Sequence, residues 1–531
     1  MIERKKKEGR ALELVRKTIY MSRQKGKAVN QVTLDDDYNI PEAMPDAGFL
    51  IQEQGKLEIT EVKAENGRVL VQGSLRFGVL YSEDGEDGSL HSVQGAIPME
   101  ESLNLEQVAE GDSLTLDWML EDVSAALINS RKLGIRAVAT LTLTAEELFE
   151  EEISVDISGE GEELRKKTCG LSAVSLAVRK KDTCRVKDEM ILPASKPNIR
   201  TLIWQDVRLA NTELRPGDGE IGVRGELVVF VLYESEEGEG KTGWVEQNLP
   251  FTARIEAAGC REGMAGSVKL GLSQADLEVK PDYDGELRVL NLDVVLELDM
   301  RAYREEELEL LCDAYSLKKE LTPEKKATVC QRLLMNNSSR FRAGSRVDVG
   351  KEDGQILQIC HCSGEALLDE CTVTERGLQL EGVIQVQILY VTADDSHPVL
   401  CRKEQIPFAQ EVEVPGIGAD SVWQAQLSLE QVAAEMAGGS ELEIRAVAAV
   451  QVLVLEQIRV EYITEIQESP LDWEKIRELP AFVICTMQLS DSLWSMAKAY
   501  RTTPERICEL NGLTEDEIRP GQKLLLMKEV Q

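Results

Sequence analysis

Three copies of one strand pattern, set at nearly even intervals, constrain this chain more than any other feature. They run Val71 to Tyr81, Val223 to Tyr233 and Leu380 to Tyr390. Each carries Gly at its third position (Gly73, Gly225, Gly382) and ends in Leu-Tyr. A period this long makes the architecture a tandem array before any local reading. In the first copy Val71, Leu75, Phe77, Val79 and Tyr81 share one parity, and Gln72, Ser74 and Arg76 take the other. That period of two predicts a strand with one buried face. Acidic or Gly-bearing turns follow each Tyr, from Ser82, Glu234 and Thr392, and predict hairpin tips.

Further anchors keep step. Pro98, Pro250 and Pro407 each stand 25 residues after the strand Gly, and Arg136, Arg288 and Arg445 each stand 63 after it. Two copies open alike, with Pro41 and Pro45, then Pro193 and Pro197; in the third, Gly354 occupies the place of the second Pro. A Gly within a strand marks a bulge or a close backbone approach, and a Pro there suits an edge. The Arg is expected to meet a carboxylate or sit at the rim. The predicted unit is an antiparallel β-sandwich-like domain of about 150 residues. Glu151 to Ser158, Leu308 to Leu321 and Ile458 to Ile466 read as further strands, with joints at Gly159 to Lys167 and Thr322 to Lys326.

The 531 residues are 43% hydrophobic, enough for several packed cores. A net charge of −35 argues against nucleic-acid binding, which needs Lys and Arg to neutralise phosphates. The amino terminus is basic, with Arg4, Lys5, Lys6, Lys7, Arg10, Arg16, Lys17, Arg23, Lys25 and Lys27. It reads either as a solvated lead-in or as a contact for anionic lipid or an acidic partner. No apolar h-region follows it, and no apolar run is long enough to predict a transmembrane segment. Eleven irregularly spaced cysteines predict reduced thiols. Cys360-His361-Cys362 with Cys371 is the one metal-like cluster, but it lacks paired ligand spacing, so no metal is expected. On a regular strand Cys360 and Cys362 would share a face, opposite His361.

Residues 481 to 531 follow another pattern. Phe482 to Cys485 reads as a strand, and Ser490-Asp491-Ser492 offers a helix cap before Leu493, Met496, Ala497 and Tyr500 at helical spacing. A second helix starts at Thr503-Pro504 and stops at Asn511-Gly512. Lys523 to Met527 closes the module as a strand, giving β-α-α-β.

These patterns resemble two known families. The ordered anchors in triplicate resemble the SPOCS domain of bacterial spore-coat proteins. Asp491-Ser492-Leu493-Trp494, Leu510-Asn511-Gly512-Leu513 and Pro520-Gly521-Gln522-Lys523-Leu524 are similar to a LysM domain. The fold expected is mainly β: three tandem SPOCS domains, then a small α/β LysM domain. The divisions expected are 1–163, 164–325, 326–470, a linker at 471–480, and 481–531.

The LysM resemblance implies a groove for N-acetylglucosamine-containing glycans. One wall is Leu489, Ser490, Asp491 and Ser492; the other is Ile518, Arg519 and Pro520. Ser490 stands where the family usually has Gly, so a side chain there crowds a sugar's approach. Leu493, Trp494, Ala497, Tyr500, Ile507 and Leu524 read as core. The combined domain order resembles SipL-type spore-envelope morphogenetic proteins. That resemblance implies a mother-cell protein at the forespore surface, whose LysM domain contacts a coat-basement ATPase of the stage IV sporulation protein A type and whose repeats meet other coat proteins. Peptidoglycan or its precursors are the alternative ligand.

No enzyme or cofactor is expected. The chain has only His91, His361 and His397, and it lacks zinc-protease and nucleophile-elbow motifs. Ser235 to Thr242 approaches a phosphate-binding loop, but Ser235 replaces its first Gly and a return strand follows where a helix is needed.

Overall fold

The computed structural model describes residues 12–529 apart from 66, 86–87, 110, 159–163, 238–240, 351–353, 395 and 439–440, and apart from the Lys475 side chain. The first repeat contains β1 (Glu13–Asn39), β2 (Ala47–Glu65), β3 (Arg68–Glu83), β4 (Leu90–Asn104), β5 (Ser113–Asn129) and β6 (Lys132–Ser158). The second contains β7 (Leu164–Ile191), β8 (Ile199–Pro216), β9 (Glu220–Ser235), β10 (Thr242–Glu256), β11 (Ala265–Pro281) and β12 (Leu287–Ser316). The third contains β13 (Lys319–Asp348), β14 (Ile356–Val373), β15 (Gly377–Thr392), β16 (Val399–Glu413), β17 (Val422–Met436) and β18 (Glu441–Pro470).

Each repeat is two antiparallel three-stranded sheets, ordered β2-β3-β4 and β1-β6-β5 in the first. They pack face to face around Val71, Leu75, Phe77, Val79, Tyr81, Leu133, Ile135 and Leu141, with the same arrangement in the other two. The repeated anchors now have physical reasons. Strand Gly73 lies opposite a bulge between Ile59 and Glu61; a Cβ there would stand 2.4 Å from the Glu58 carbonyl oxygen. At Gly382 the Leu367 carbonyl would be 2.1 Å away. Pro98, Pro250 and Pro407 lie on edge strands β4, β10 and β16, where a missing N–H costs no ladder bond. The Tyr81 hydroxyl donates to the Pro45 carbonyl (3.2 Å), and that of Tyr233 to Pro197 (3.1 Å). Opening Pro and closing Tyr are therefore two halves of one contact.

The Arg anchor is different. Arg136 and Arg445 are exposed on their strands. The true counterpart of Arg288 is Arg131: the Ile40 N–H donates to the Arg131 carbonyl as Leu192 does to Arg288. Arg131 donates to the carbonyls of Met44 (2.6 Å) and Pro41 (2.9 Å). Arg288 donates to those of Pro193 (2.8 Å) and Lys196 (3.0 Å). The β11–β12 turn spans 282–286 and the β5–β6 turn only 130–131, so equal sequence offsets do not mark equal places.

The three repeats form a closed ring with two shared cores. The segments expected as further strands are continuations of β6, β12 and β18, the second also crossing the 317–318 turn into the start of β13. With the starts of β1, β7 and β13 they make three two-stranded ribbons. The ribbons bundle around Ile19, Met21, Ile153, Leu171, Leu308, Leu310, Cys330 and Tyr462, forming a stalk. Thr322 to Lys326, expected as a joint, is paired strand within β13; the turn lies at 317–318. The joint expected at Gly159 to Lys167 falls partly on 159–163, outside the described residues, and β7 begins at Leu164.

The second shared core lies between the smaller sheets. A bulge in each first strand turns Ile51, Ile203 and Cys360 outward, and Leu80, Leu232 and Leu389 of the Leu-Tyr pairs join them. The signature strands are thus buried on both faces at their ends. This bulge also corrects the reading of the cysteine cluster. Cys360 faces the inter-repeat core and Cys362 the interior of the third repeat.

Half of the basic amino-terminal cluster lies on β1, with Arg16, Lys17 and Arg23 on its stalk part and Lys25 and Lys27 where β5 also joins the sheet. Lys17 pairs with Glu306 (2.5 Å), Lys25 with Asp112 (2.9 Å), and Arg23 lies 4.8 Å from the Phe149 ring centre. Arg4, Lys5, Lys6, Lys7 and Arg10 lie outside the described residues. The near-miss phosphate loop closes the β9–β10 hairpin and runs into strand at Thr242; its Gly238 and Gly240 lie outside the described residues.

Candidate binding site in the carboxy-terminal domain

The last domain comprises β19 (Phe482–Thr486), α2 (Leu493–Tyr500), α3 (Pro504–Asn511) and β20 (Lys523–Met527), preceded by α1 (Trp473–Glu478). The segment expected as a plain linker holds α1, whose Ile476 packs with Leu471 and Leu317. Ser492 caps α2: its hydroxyl accepts from the Ser495 N–H (3.1 Å), and the Ser495 hydroxyl accepts from the Ser492 N–H (2.9 Å). Thr503 caps α3, Pro504 takes its first turn, and Gly512 (φ +64°) ends it in the left-handed region. Leu493, Met496, Ala497, Ile507, Leu524 and Leu526 form the core, with Trp494 and Tyr500 half-buried against it.

The two loops named from the sequence are brought together. Met487 N–H donates to the Gln522 carbonyl (2.9 Å) and Gly521 N–H to the Met487 carbonyl (2.8 Å). The seven residues then divide by role. Leu489, Ser490, Arg519 and Pro520 are exposed on the two walls, Leu489 at 92%. Asp491 is committed to the loop, its carboxylate accepting from the Gln488 N–H (2.9 Å). Ser492 is spent on the cap, and Ile518 packs against the core. What the site offers a ligand is therefore an apolar tip, a hydroxyl, a guanidinium and loop backbone. This suits surface recognition and contains no acid–base or nucleophilic constellation.

Sequence reasoning missed the residues that hold this domain in place. Tyr315, at the end of β12, belongs to its core and stacks edge-on with Trp494 (4.9 Å between ring centres); its hydroxyl donates to the Thr502 carbonyl (2.9 Å). Asp313 accepts from the Trp494 indole N–H (2.8 Å) and from Lys498 (2.7 Å). Burial would raise the Asp313 pKa, but these donors outweigh it and hold the carboxyl below its ordinary range. Arg501 donates to the Ser316 carbonyl (3.1 Å) and pairs with Glu320. The α2 face is thus seated on the stalk while the two loops stay exposed. Only the aromatic at 315 hinted at this in the sequence; Asp313 is one carboxylate among 95.

Comparison with family models agrees with this architecture. The model described as SipL, SPOCS domain matches residues 46–128, 198–280 and 355–437, and the LysM domain model matches residues 486–526. The SPOCS matches span β2 to β5 and their counterparts, leaving the stalk ribbons outside. No curated protein and no solved structure matches the chain. Among the described residues no helix is long and apolar enough to cross a membrane. With three SPOCS domains in a ring and a LysM domain seated on their stalk, the chain is a SPOCS–LysM protein of the SipL-like kind.

Proposed function

We propose that this chain is a non-catalytic adaptor of spore-coat assembly, acting in the mother-cell cytoplasm at the forespore surface. Its LysM domain recruits a coat-basement ATPase of the stage IV sporulation protein A type, and the SPOCS ring presents surfaces to other coat proteins. The observation that carries this reading is the seating of the LysM domain. Asp313, Tyr315 and Glu320 fix one face, so the exposed loops stand in a set direction from a rigid ring. Preorganisation of this kind lowers the cost of docking a large partner. Ser490 adds a side chain where a sugar would need close backbone approach, which favours protein over glycan as the ligand.

The test is calorimetric titration of the full chain with the ATPase and, in parallel, with soluble peptidoglycan fragments. Binding of the ATPase, weakened about tenfold or more by Leu489→Asp or Arg519→Glu, supports the proposal. Glycan binding with no ATPase binding overturns it and makes the chain a glycan-binding protein. The LysM match is what keeps that second reading in view.

A further inference from the structure

The ring of smaller sheets closes through three seams built on one pair of positions. The residue 21 places before each strand Gly, immediately after the outward bulge, is Gln52, Trp204 or His361. Each reaches the neighbouring repeat at the residue 5 places after that repeat's strand Gly, which is Gln387, Gly78 or Phe230 respectively. The three seams solve the contact differently. Gln52 donates to the Gln387 side-chain oxygen (2.6 Å). Trp204 fills the space over Gly78, where a Cβ would lie 3.4 Å from the indole Cη2. His361 stacks on Phe230, with ring centres 4.0 Å apart and planes 9° from parallel.

Of the three position pairs, only His361–Phe230 includes an ionisable side chain. His361 Nδ1 lies 2.6 Å from Glu246 Oε2, and Nε2 lies 2.9 Å from Asp206 Oδ2. Ionised carboxylates only accept hydrogen bonds, so both contacts are satisfied together when both ring nitrogens donate, that is, when the ring is an imidazolium. Its side chain is 1% exposed. The charged groups facing it are Asp206 and Arg208 from β8 and Glu246 from β10; Cys362 on its own strand and Cys401 on β16 are thiols that burial keeps neutral. Two buried nitrogens of Arg208, Nε and Nη1, have no protein partner, and against the effect of burial its charge joins that of His361 in holding the Asp206 carboxyl below its ordinary range.

We infer that His361 is a pH-dependent latch between the second and third repeats, closing the ring when its imidazole is charged and loosening that one seam when it is neutral. A neutral ring has one N–H, so one of its two nitrogens then turns a lone pair toward a carboxylate. Burial alone would make the ring harder to charge. The hydrogen bonds and charges of Asp206 and Glu246 outweigh it and hold His361 above its ordinary value. The latch is therefore fully closed below about pH 6.5, the value of a free imidazole, and opens as pH rises through the higher folded value. At the corresponding positions Gln52, Gln387, Trp204 and Gly78 carry no titratable side chain; the charges that do cross those seams include the Lys403–Glu53 pair and Lys56, which donates to the Ser273 carbonyl.

Hydrogen exchange of the full chain, corrected for the intrinsic pH dependence of amide exchange, tests this. Between pH 6 and 9, protection of Ile356 to His361 and Thr242 to Glu246 should fall by up to about tenfold for each unit by which the ring's value is raised. Protection around Gln52 and around Trp204 and Gly78 should hold. His361→Gln should show the loosened seam at every pH. Glu246→Gln keeps the ring and one carboxylate, and should move the transition to lower pH. Protection that falls equally at all three seams, that does not change with pH, or whose transition is unmoved in Glu246→Gln would overturn the latch.

Discussion

At the level of single residues, the chain shows how far a sequence offset can be trusted. Arg136 and Arg288 stand at the same distance from their strand glycines, yet Arg131 makes the contacts that Arg288 makes. Arg131→Ala should therefore cost about 1.5–3 kcal/mol, since it strips charged donors from the carbonyls of the Pro41–Pro45 turn. Arg136→Ala should stay within about 0.5 kcal/mol, because its side chain is exposed. Denaturant unfolding of the two variants checks this, and equal losses would restore the offset as a guide. Gly73 and Tyr81 were legible because their constraints lie within one repeat: a bulge opposite the Gly, a carbonyl beneath the hydroxyl. His361 was not legible, since its meaning depends on Asp206 and Glu246 from another repeat, over a hundred residues away.

At the level of elements, period two and turn chemistry correctly marked the hairpins β3–β4, β9–β10 and β15–β16, and cap residues marked α2 and α3. Bulges were what the pattern concealed. One extra residue in β14 reverses parity and sends Cys360 and Cys362 into different cores. The loop residues of the LysM groove were placed by resemblance, but which of them are free to meet a ligand depended on hydrogen bonds within the loop. The junction of β12 with α2 was not legible, and it carries a prediction. Asp313→Ala removes the acceptor for Trp494 and Lys498 and should weaken the seating by about 1.5–3 kcal/mol. Exchange protection in α2 should drop while that of β7 and β12 away from the contact is unchanged. Because the Asp313 carboxyl is held below its free value of 3.8, its contribution is complete above that pH and is lost as pH falls through the folded value. Acidification should thus begin to weaken the seating below pH 3.8 and reproduce the variant's phenotype only below the folded value.

At the level of the whole molecule, the tandem pattern suggested domains in series, whereas the structure closes them on one another. Each repeat shares the stalk core and the core between the smaller sheets with both neighbours. A buried triad adds to one seam, Glu146 accepting from Arg179 (2.7 Å) and Arg301 (2.8 Å). Repeats tied this way should not melt one by one. Calorimetry of the full chain should give one dominant transition for the ring, and three resolved transitions of similar size would mean that the shared cores contribute little.

Leu12, where the described chain starts, donates its N–H to Glu468 (3.0 Å), near the end of the last ribbon. First and last ribbons of the array therefore adjoin, and among the described residues all three ribbons contribute to the stalk core. A solenoid can gain or lose units at its ends, but this array counts to three and stops. A chain shortened by one repeat would carry two mutually matching apolar edges, and it would satisfy them by recruiting another copy of itself.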